Sequence, residues 1–173
     1  VADRLGWSVA DLVDRTRAEA AARIAAGDRP VVIAGGADLI ARLAPAGIPV
    51  AIVSGSTRAE LDDGIEQLGI GSHLRFRLGA EDYRSGKPDP EGFLLAATRL
   101  GVAPGGCVVF EDSSVGIAAG LAAGMRVVGV AQANRAPGQP GHQDLSAAHR
   151  VVSDLTEVDD RLLASVLGVG SAG

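Results

Sequence analysis

A chain of 173 residues that is 47% hydrophobic has enough apolar material for one domain with a sizeable core and a small appendage. Its net charge of -5 and pI near 5.1 argue against nucleic-acid or anionic-membrane surfaces as partners, and favour small-molecule chemistry. The single cysteine, Cys107, lies in the apolar run "CVVF" and cannot form an internal disulfide. With a charged N-terminus and no run of membrane-spanning length, it points to a reducing cytoplasm.

From Ser8 to Ala26 the apolar positions Val9, Val13, Ala20 and Ile24 recur at mostly helical spacing, Ser8 and Asp11 resemble a capping box, and Gly27 ends the helix. The texture changes at Pro30. Short β-branched runs follow at 31–34 ("VVIA"), 48–53 ("IPVAIV"), 74–78 ("LRFRL"), 107–110 ("CVVF"), 126–130 ("RVVGV") and 150–152 ("RVV"). Helical segments alternate with them near 37–46, 57–68, 90–100, 114–123 and 155–167, most of them closing at a glycine. This alternation predicts βαβ crossovers: an α/β fold of three layers around a largely parallel sheet. The Pro-, Gly- and Gln-rich stretch 131–143 reads as a long exposed loop, and the histidines are scattered without ligand spacing.

Ligands of parallel sheets gather beyond the carboxyl ends of the strands, and three such ends are polar. "IPVAIV" runs into "SGSTRAE", where Ser54, Ser56 and Thr57 offer hydroxyls and Gly55 lets backbone N–H groups approach an anion at a helix start. Plain helix capping by Ser56 or Thr57 is the competing reading. "CVVF" runs into "EDSSVG", setting Glu111 and Asp112 side by side. Adjacent carboxylates call for a cation, and hard oxygen donors with room for water and phosphate suit magnesium. The following helix carries Gly116 and Gly120 on one face, which predicts close packing of its backbone against the sheet. Lys87, the only lysine among sixteen basic residues, follows "LRFRL". Pro88 and Pro90 stiffen its segment, and its compact ammonium differs in kind from the broad guanidinium used elsewhere in the chain. Hydroxyl-rich turn, ammonium and paired acids share one logic, a phosphoryl group bridged to a magnesium ion.

These segments together resemble the haloacid dehalogenase superfamily of phosphohydrolases, in particular the subgroup of β-phosphoglucomutase, phosphoglycolate phosphatase and similar sugar-phosphate phosphatases. "VAIVSGSTRAEL" resembles the second motif of that family, with Ser54 as the phosphate-binding hydroxyl. "GKPDPEGFLLAATRLG" resembles the third, with Lys87 neutralising the phosphate, and "CVVFEDSSVGIAAGLAAGM" the fourth, with Glu111 and Asp112 holding magnesium. The resemblance runs from about residue 30 to residue 155. It implies a three-layer, Rossmann-like core at 29–173, with residues 1–28 as the last part of a helical cap.

The resemblance also implies a first strand ending in Asp-x-Asp, whose first aspartate is the nucleophile. The chain contains no Asp-x-Asp. The expected activity is therefore that of a Mg2+-dependent phosphatase acting on a small phosphomonoester such as a sugar phosphate, through an aspartyl-phosphate formed on an aspartate outside this chain. Lys87 and Ser54 are its catalytic residues, and Ser54, Gly55, Ser56 and Lys87 bind substrate. The chain alone is expected to be inactive. The alternatives are a noncatalytic remnant that binds phosphate or a partner, and a mutase of the β-phosphoglucomutase kind. In the family the absent strand lies between those ending at Ser54 and Glu111, so a gap of about two strand spacings, roughly 10 Å, is expected there. "VVIA" sliding inward, a second chain, or a longer native polypeptide would fill it. The first of these would bring Asp38 toward the site.

Overall fold

The structure, a computed structural model, describes residues 32–168. The chain divides at Val32 and Ile33 into two units, and the account below concerns the second. The readings made for residues 1–31, the capped helix and the cap segment, lie outside the described residues. The elements, in chain order, are α1 (Gly36–Leu43), β1 (Ala51–Val53), α2 (Arg58–Leu68), β2 (Phe76–Leu78), α3 (Glu91–Leu100), β3 (Val108–Glu111), α4 (Ser114–Ala122), β4 (Arg126–Val130), β5 (Arg150–Val152) and α5 (Asp160–Leu167).

Among the described residues all strand pairings are parallel, as the βα alternation predicts, and they fall into two sheets, β1–β2 and β3–β4–β5. The alternation of side chains along β3 and β4 builds the layers. On one face Val109 and Val127 pack with Phe93 and Ala97 of α3 and Ile117 and Ala119 of α4. On the other, Val128 and Val130 meet Leu162 and Val166 of α5, while Phe110 reaches Leu39 and Leu43 of α1. Leu78, Ile117, Val127 and Val128 are fully buried.

The small residues of α4 behave as its sequence predicts. A Cβ at Gly120 would lie 2.8 Å from Val127 Cγ2, and one at Gly116 would overlap the Glu111 carboxylate. The helix thus rests its backbone on the sheet and leaves room for a charged side chain beneath its first turn.

One expected strand does not occur among the described residues. Residues 32–34 of "VVIA" form no ladder: Ala34 N–H donates to Gln132 Oε1 at 2.6 Å, Leu155 N–H donates to Ala34 O at 3.0 Å, and Ile33 packs against Val128, Val130 and Val152. The chain turns away at Gly35, whose φ of 75° is left-handed and whose Cβ position lies only 2.5 Å from Thr156 N, so only glycine fits. An apolar run is equally compatible with a strand and with a buried connector, and here tertiary contacts chose the connector. This segment therefore does not enter the expected gap, and Asp38 sits exposed in the first turn of α1. The helix expected over 155–167 is divided as well. Residues Leu155–Glu157 form a 3-10 turn, and α5 starts only after Asp159, whose carboxylate accepts Leu162 N–H at 2.7 Å.

Between β1 and β3 lies an apolar slot of about 440 Å³. Phe93 and Ala96 of α3 cover one face of it, and Leu39 and Leu43 of α1 with Leu163 of α5 cover the other. No helix among the described residues is long and apolar enough to cross a membrane.

Candidate active site

The carboxyl ends of β1 and β3 meet around Lys87. Its ammonium is ion-paired with the Glu111 carboxylate, lies 3.4 Å from Val53 O, and stands 5.0 Å from the centroid of the Phe93 ring. Both partners are largely withdrawn from solvent, with side-chain exposures of 20% for Lys87 and 8% for Glu111. A guanidinium is broader than this setting, which accounts for the one lysine in an arginine-rich chain. The loop that carries Lys87 is anchored by Glu91 at the start of α3: its carboxylate accepts the N–H groups of Arg84 and Ser85 at 3.1 and 2.8 Å. Those two donors hold its carboxyl below the ordinary glutamate value. Asp89 Oδ1 in turn accepts Glu91 N–H at 2.9 Å, just ahead of the N-cap of α3 at Pro90.

At the end of β1, Thr57 caps α2. Its side chain accepts Glu60 N–H at 3.3 Å while Glu60 Oε2 accepts Thr57 N–H at 2.7 Å, a reciprocal capping box. Capping thus falls to Thr57 alone, leaving Ser54 and Ser56 outside that task. Ser54 Oγ accepts Ser56 N–H at 3.1 Å, and the backbone around Gly55 is open, with no atom within 4 Å of where its Cβ would stand. Behind the turn, the Tyr83 hydroxyl donates to Ser54 O at 2.7 Å. Burial, helped by the negative charges of Asp82 and Glu111, pushes the phenol above its usual pKa, so it stays a neutral donor.

The two acids diverge. Glu111, the last residue of β3, turns inward to Lys87 and also accepts the Ser113 hydroxyl at 3.1 Å, while Ser113 Oγ accepts Gly116 N–H at 3.1 Å as the cap of α4. Asp112 is exposed, and among the described residues its carboxylate has no hydrogen-bond or ion-pair partner. No cluster of three His, Cys, Asp or Glu side chains able to hold a metal occurs among the described residues. The donor set nevertheless fits a magnesium ion that keeps most of its water, because such an ion needs only one or two hard carboxylates from the protein.

Three supporting groups were not singled out in the sequence. Tyr83 and Glu91 hold the two loops. Gln143 Oε1 accepts both the N–H and the hydroxyl of Ser114 at 3.0 Å, docking the end of the 131–143 loop on the start of α4. That Tyr83 is the only tyrosine was the one available signal. Arg77 bonds to Asp62 at 2.5 Å as a peripheral charge, and Cys107 is half-buried against the core, its thiol raised by burial.

A family model described as haloacid dehalogenase-like hydrolase matches residues 3–124. The chain is 33% identical over 160 residues to the validoxylamine A 7'-phosphate phosphatase of Streptomyces hygroscopicus subsp. limoneus, covering 91% of this chain and 72% of the relative. It is 38% identical over 118 residues to a β-phosphoglucomutase of Mycobacterium bovis, covering 65% of this chain and 44% of the relative. Among solved structures, a haloacid dehalogenase family hydrolase from Deinococcus radiodurans R1, crystallised with bound phosphate and sodium, superposes with a TM-score of 0.64 at 33% identity, covering 82% of this chain and 62% of that one. The chain thus spans less than half the length of the mutase and under two thirds of the Deinococcus hydrolase.

Proposed function

Because the chain belongs to the haloacid dehalogenase-like hydrolases, we propose that the Ser54 turn, Lys87 and the Glu111–Asp112 pair form the phosphate- and metal-binding part of a Mg2+-dependent phosphatase for a small phosphorylated sugar or sugar-like alcohol. The observation that carries this reading is the position of the Lys87 ammonium, part-buried between the carboxyl ends of β1 and β3 and neutralised on one side only, by Glu111. Relatives named as a phosphatase of a phosphorylated sugar-like compound and as a phosphoglucomutase support the substrate class.

In this proposal Lys87 and the Ser54 hydroxyl take the non-bridging oxygens of the phosphoryl group, with the N–H of Gly55 completing the cradle and Ser56, whose N–H is bonded to Ser54 Oγ, orienting that hydroxyl. Glu111 holds the ammonium in place, and Asp112 offers its free carboxylate to magnesium. Magnesium, when bound, supplies charge neutralisation at the phosphoryl oxygens. The phosphoryl group passes from the ester oxygen to an aspartate outside this chain, and then to water, which regenerates the carboxylate. A reducing cytoplasm suits the lone thiol.

Hydrolysis of p-nitrophenyl phosphate with and without magnesium tests the reading, together with phosphate titration followed by NMR. Phosphate perturbing the amides of Ser54, Gly55 and Ser56, with the effect abolished in Lys87→Met, is the expected result. Undisturbed amides at millimolar phosphate with magnesium would overturn it. Binding without turnover favours the second reading, a noncatalytic phosphate-binding remnant, which the absence of Asp-x-Asp from the sequence supports.

A further inference from the structure

The turn after β1 is held by the segment that follows β2. Ala80 N–H donates to Ser56 O at 2.9 Å, the Glu81 carboxylate accepts Arg58 N–H at 3.0 Å, and the Tyr83 hydroxyl donates to Ser54 O at 2.7 Å. The holding segment is itself fixed. Asp82, whose side chain is only 8% exposed, accepts Gly79 N–H at 2.9 Å and pairs with Arg58, while the Tyr83 ring lies against Gly92 of α3, where a Cβ would stand 3.1 Å from Tyr83 Cε1. The hydroxyl therefore reaches Ser54 O from a rigid base, and its effect passes through the peptide that joins Ser54 to Gly55. In a trans peptide the C=O and the following N–H point in opposite directions. Keeping Ser54 O on the Tyr83 side turns Gly55 N–H to the other side, and among the described residues that N–H has no partner.

Little else holds this peptide in place. No other donor among the described residues reaches Ser54 O, no atom lies within 4 Å of the Cβ position of Gly55, and glycine takes positive φ as readily as negative. Without the hydroxyl, the part-buried Ser54 carbonyl would lack a donor, and rotation of the peptide would bring that oxygen to water and turn the N–H inward. We propose that Tyr83 is a positioning residue for anion binding: its hydroxyl sets the Ser54–Gly55 peptide so that the turn presents an N–H donor, and not a C=O acceptor, to a phosphoryl oxygen. The proposal rests on the phosphate reading given above and adds to it a side chain that touches no substrate. Packing alone does not account for a tyrosine here. Phenylalanine would fill the same space beside Gly92, whereas the hydroxyl bonds to the one carbonyl whose direction decides where Gly55 N–H points.

Tyr83→Phe removes the hydroxyl and keeps the ring. The wild type and this variant are titrated with inorganic phosphate in the presence of magnesium, and the Ser54, Gly55 and Ser56 amides are followed by NMR. In the variant the Gly55 amide resonance should move before any phosphate is added, and phosphate affinity should fall roughly five- to tenfold, the worth of one hydrogen bond to a charged group. Gly55→Ala supplies the rescue: its methyl group meets no atom within 4 Å, the present φ at 55 lies outside the left-handed range, and alanine disfavours the rotated peptide. The double variant should recover most of the lost affinity, which a role for Tyr83 in packing alone would not allow. Equal phosphate affinity in the wild type and Tyr83→Phe, or a loss that Gly55→Ala leaves unchanged, would overturn the proposal and leave the phosphate reading standing. A wild type that does not respond to phosphate would overturn both.

Discussion

Lys87 and Glu111 form an ion pair that joins the loop after β2 to the end of β3, and neither side chain is open to solvent. Removing one partner strands the other in a poorly solvated position. Lys87→Met should destabilise the fold by about 3 kcal/mol, near the lower end of the range for breaking a buried pair, and Lys87→Met with Glu111→Gln should recover much of that loss. Urea denaturation of the two variants checks both. A double variant no more stable than the single one would mean that the pair is not coupled.

Gly116 and Gly64 make a matched contrast inside helices. Alanine at Gly64 meets nothing within 4 Å and should stabilise α2 by about 0.5–1 kcal/mol. Alanine at Gly116 puts a methyl group into the Glu111 carboxylate and should cost about 1–3 kcal/mol despite its better helix propensity. Thermal melts should therefore move in opposite directions.

Glu91 makes the lysine loop sensitive to acid. Its carboxyl is held below the usual value by the N–H groups of Arg84 and Ser85, so its contribution is fully present above the unfolded glutamate pKa of about 4.3 and is lost as the pH falls through the lower folded value. Exchange of the Arg84 and Ser85 amides, after correction for intrinsic rates, should accelerate below about pH 4. Glu91→Gln should show the acceleration already at neutral pH.

Cys107 titrates in the opposite sense. Burial raises its thiol pKa, so less thiolate is present at pH 8 than in a free cysteine. Alkylation by iodoacetamide should be several-fold slower than for an unfolded control at pH 8 and should keep rising at more alkaline pH. A rate equal to the unfolded control would contradict the half-buried position.

The alternation of β-branched runs with glycine-closed helical segments made the parallel α/β core legible, because each signal is local. The neighbourhood of the Ser54 turn, Lys87 and Glu111 was legible for the same reason, since each follows a strand and parallel strands deliver their ends to one edge. What could not be read was set by contacts distant in sequence. Ile33 chose a place beside β4 and β5, and Gly35 turned because Thr156 lies against it. The divergence of Glu111 and Asp112 depended on where the Lys87 ammonium arrives and on the space left by Gly116. Tyr83 acts through one hydrogen bond and Gln143 through two, each to a partner 29 residues away, and such contacts carry no periodic signature.

The division into two sheets also bears on how the molecule assembles. The first sheet is complete once the chain from Ala51 to Leu78 has been made, and the second draws only on residues from Val108 to Val152. Each is a βα unit of short-range contacts, whose closure costs less chain entropy than the packing of α1 onto Leu155 and Val158, which spans most of the described chain. Contacts within each sheet are therefore expected to form before those that tie α1 to the far end of the described chain.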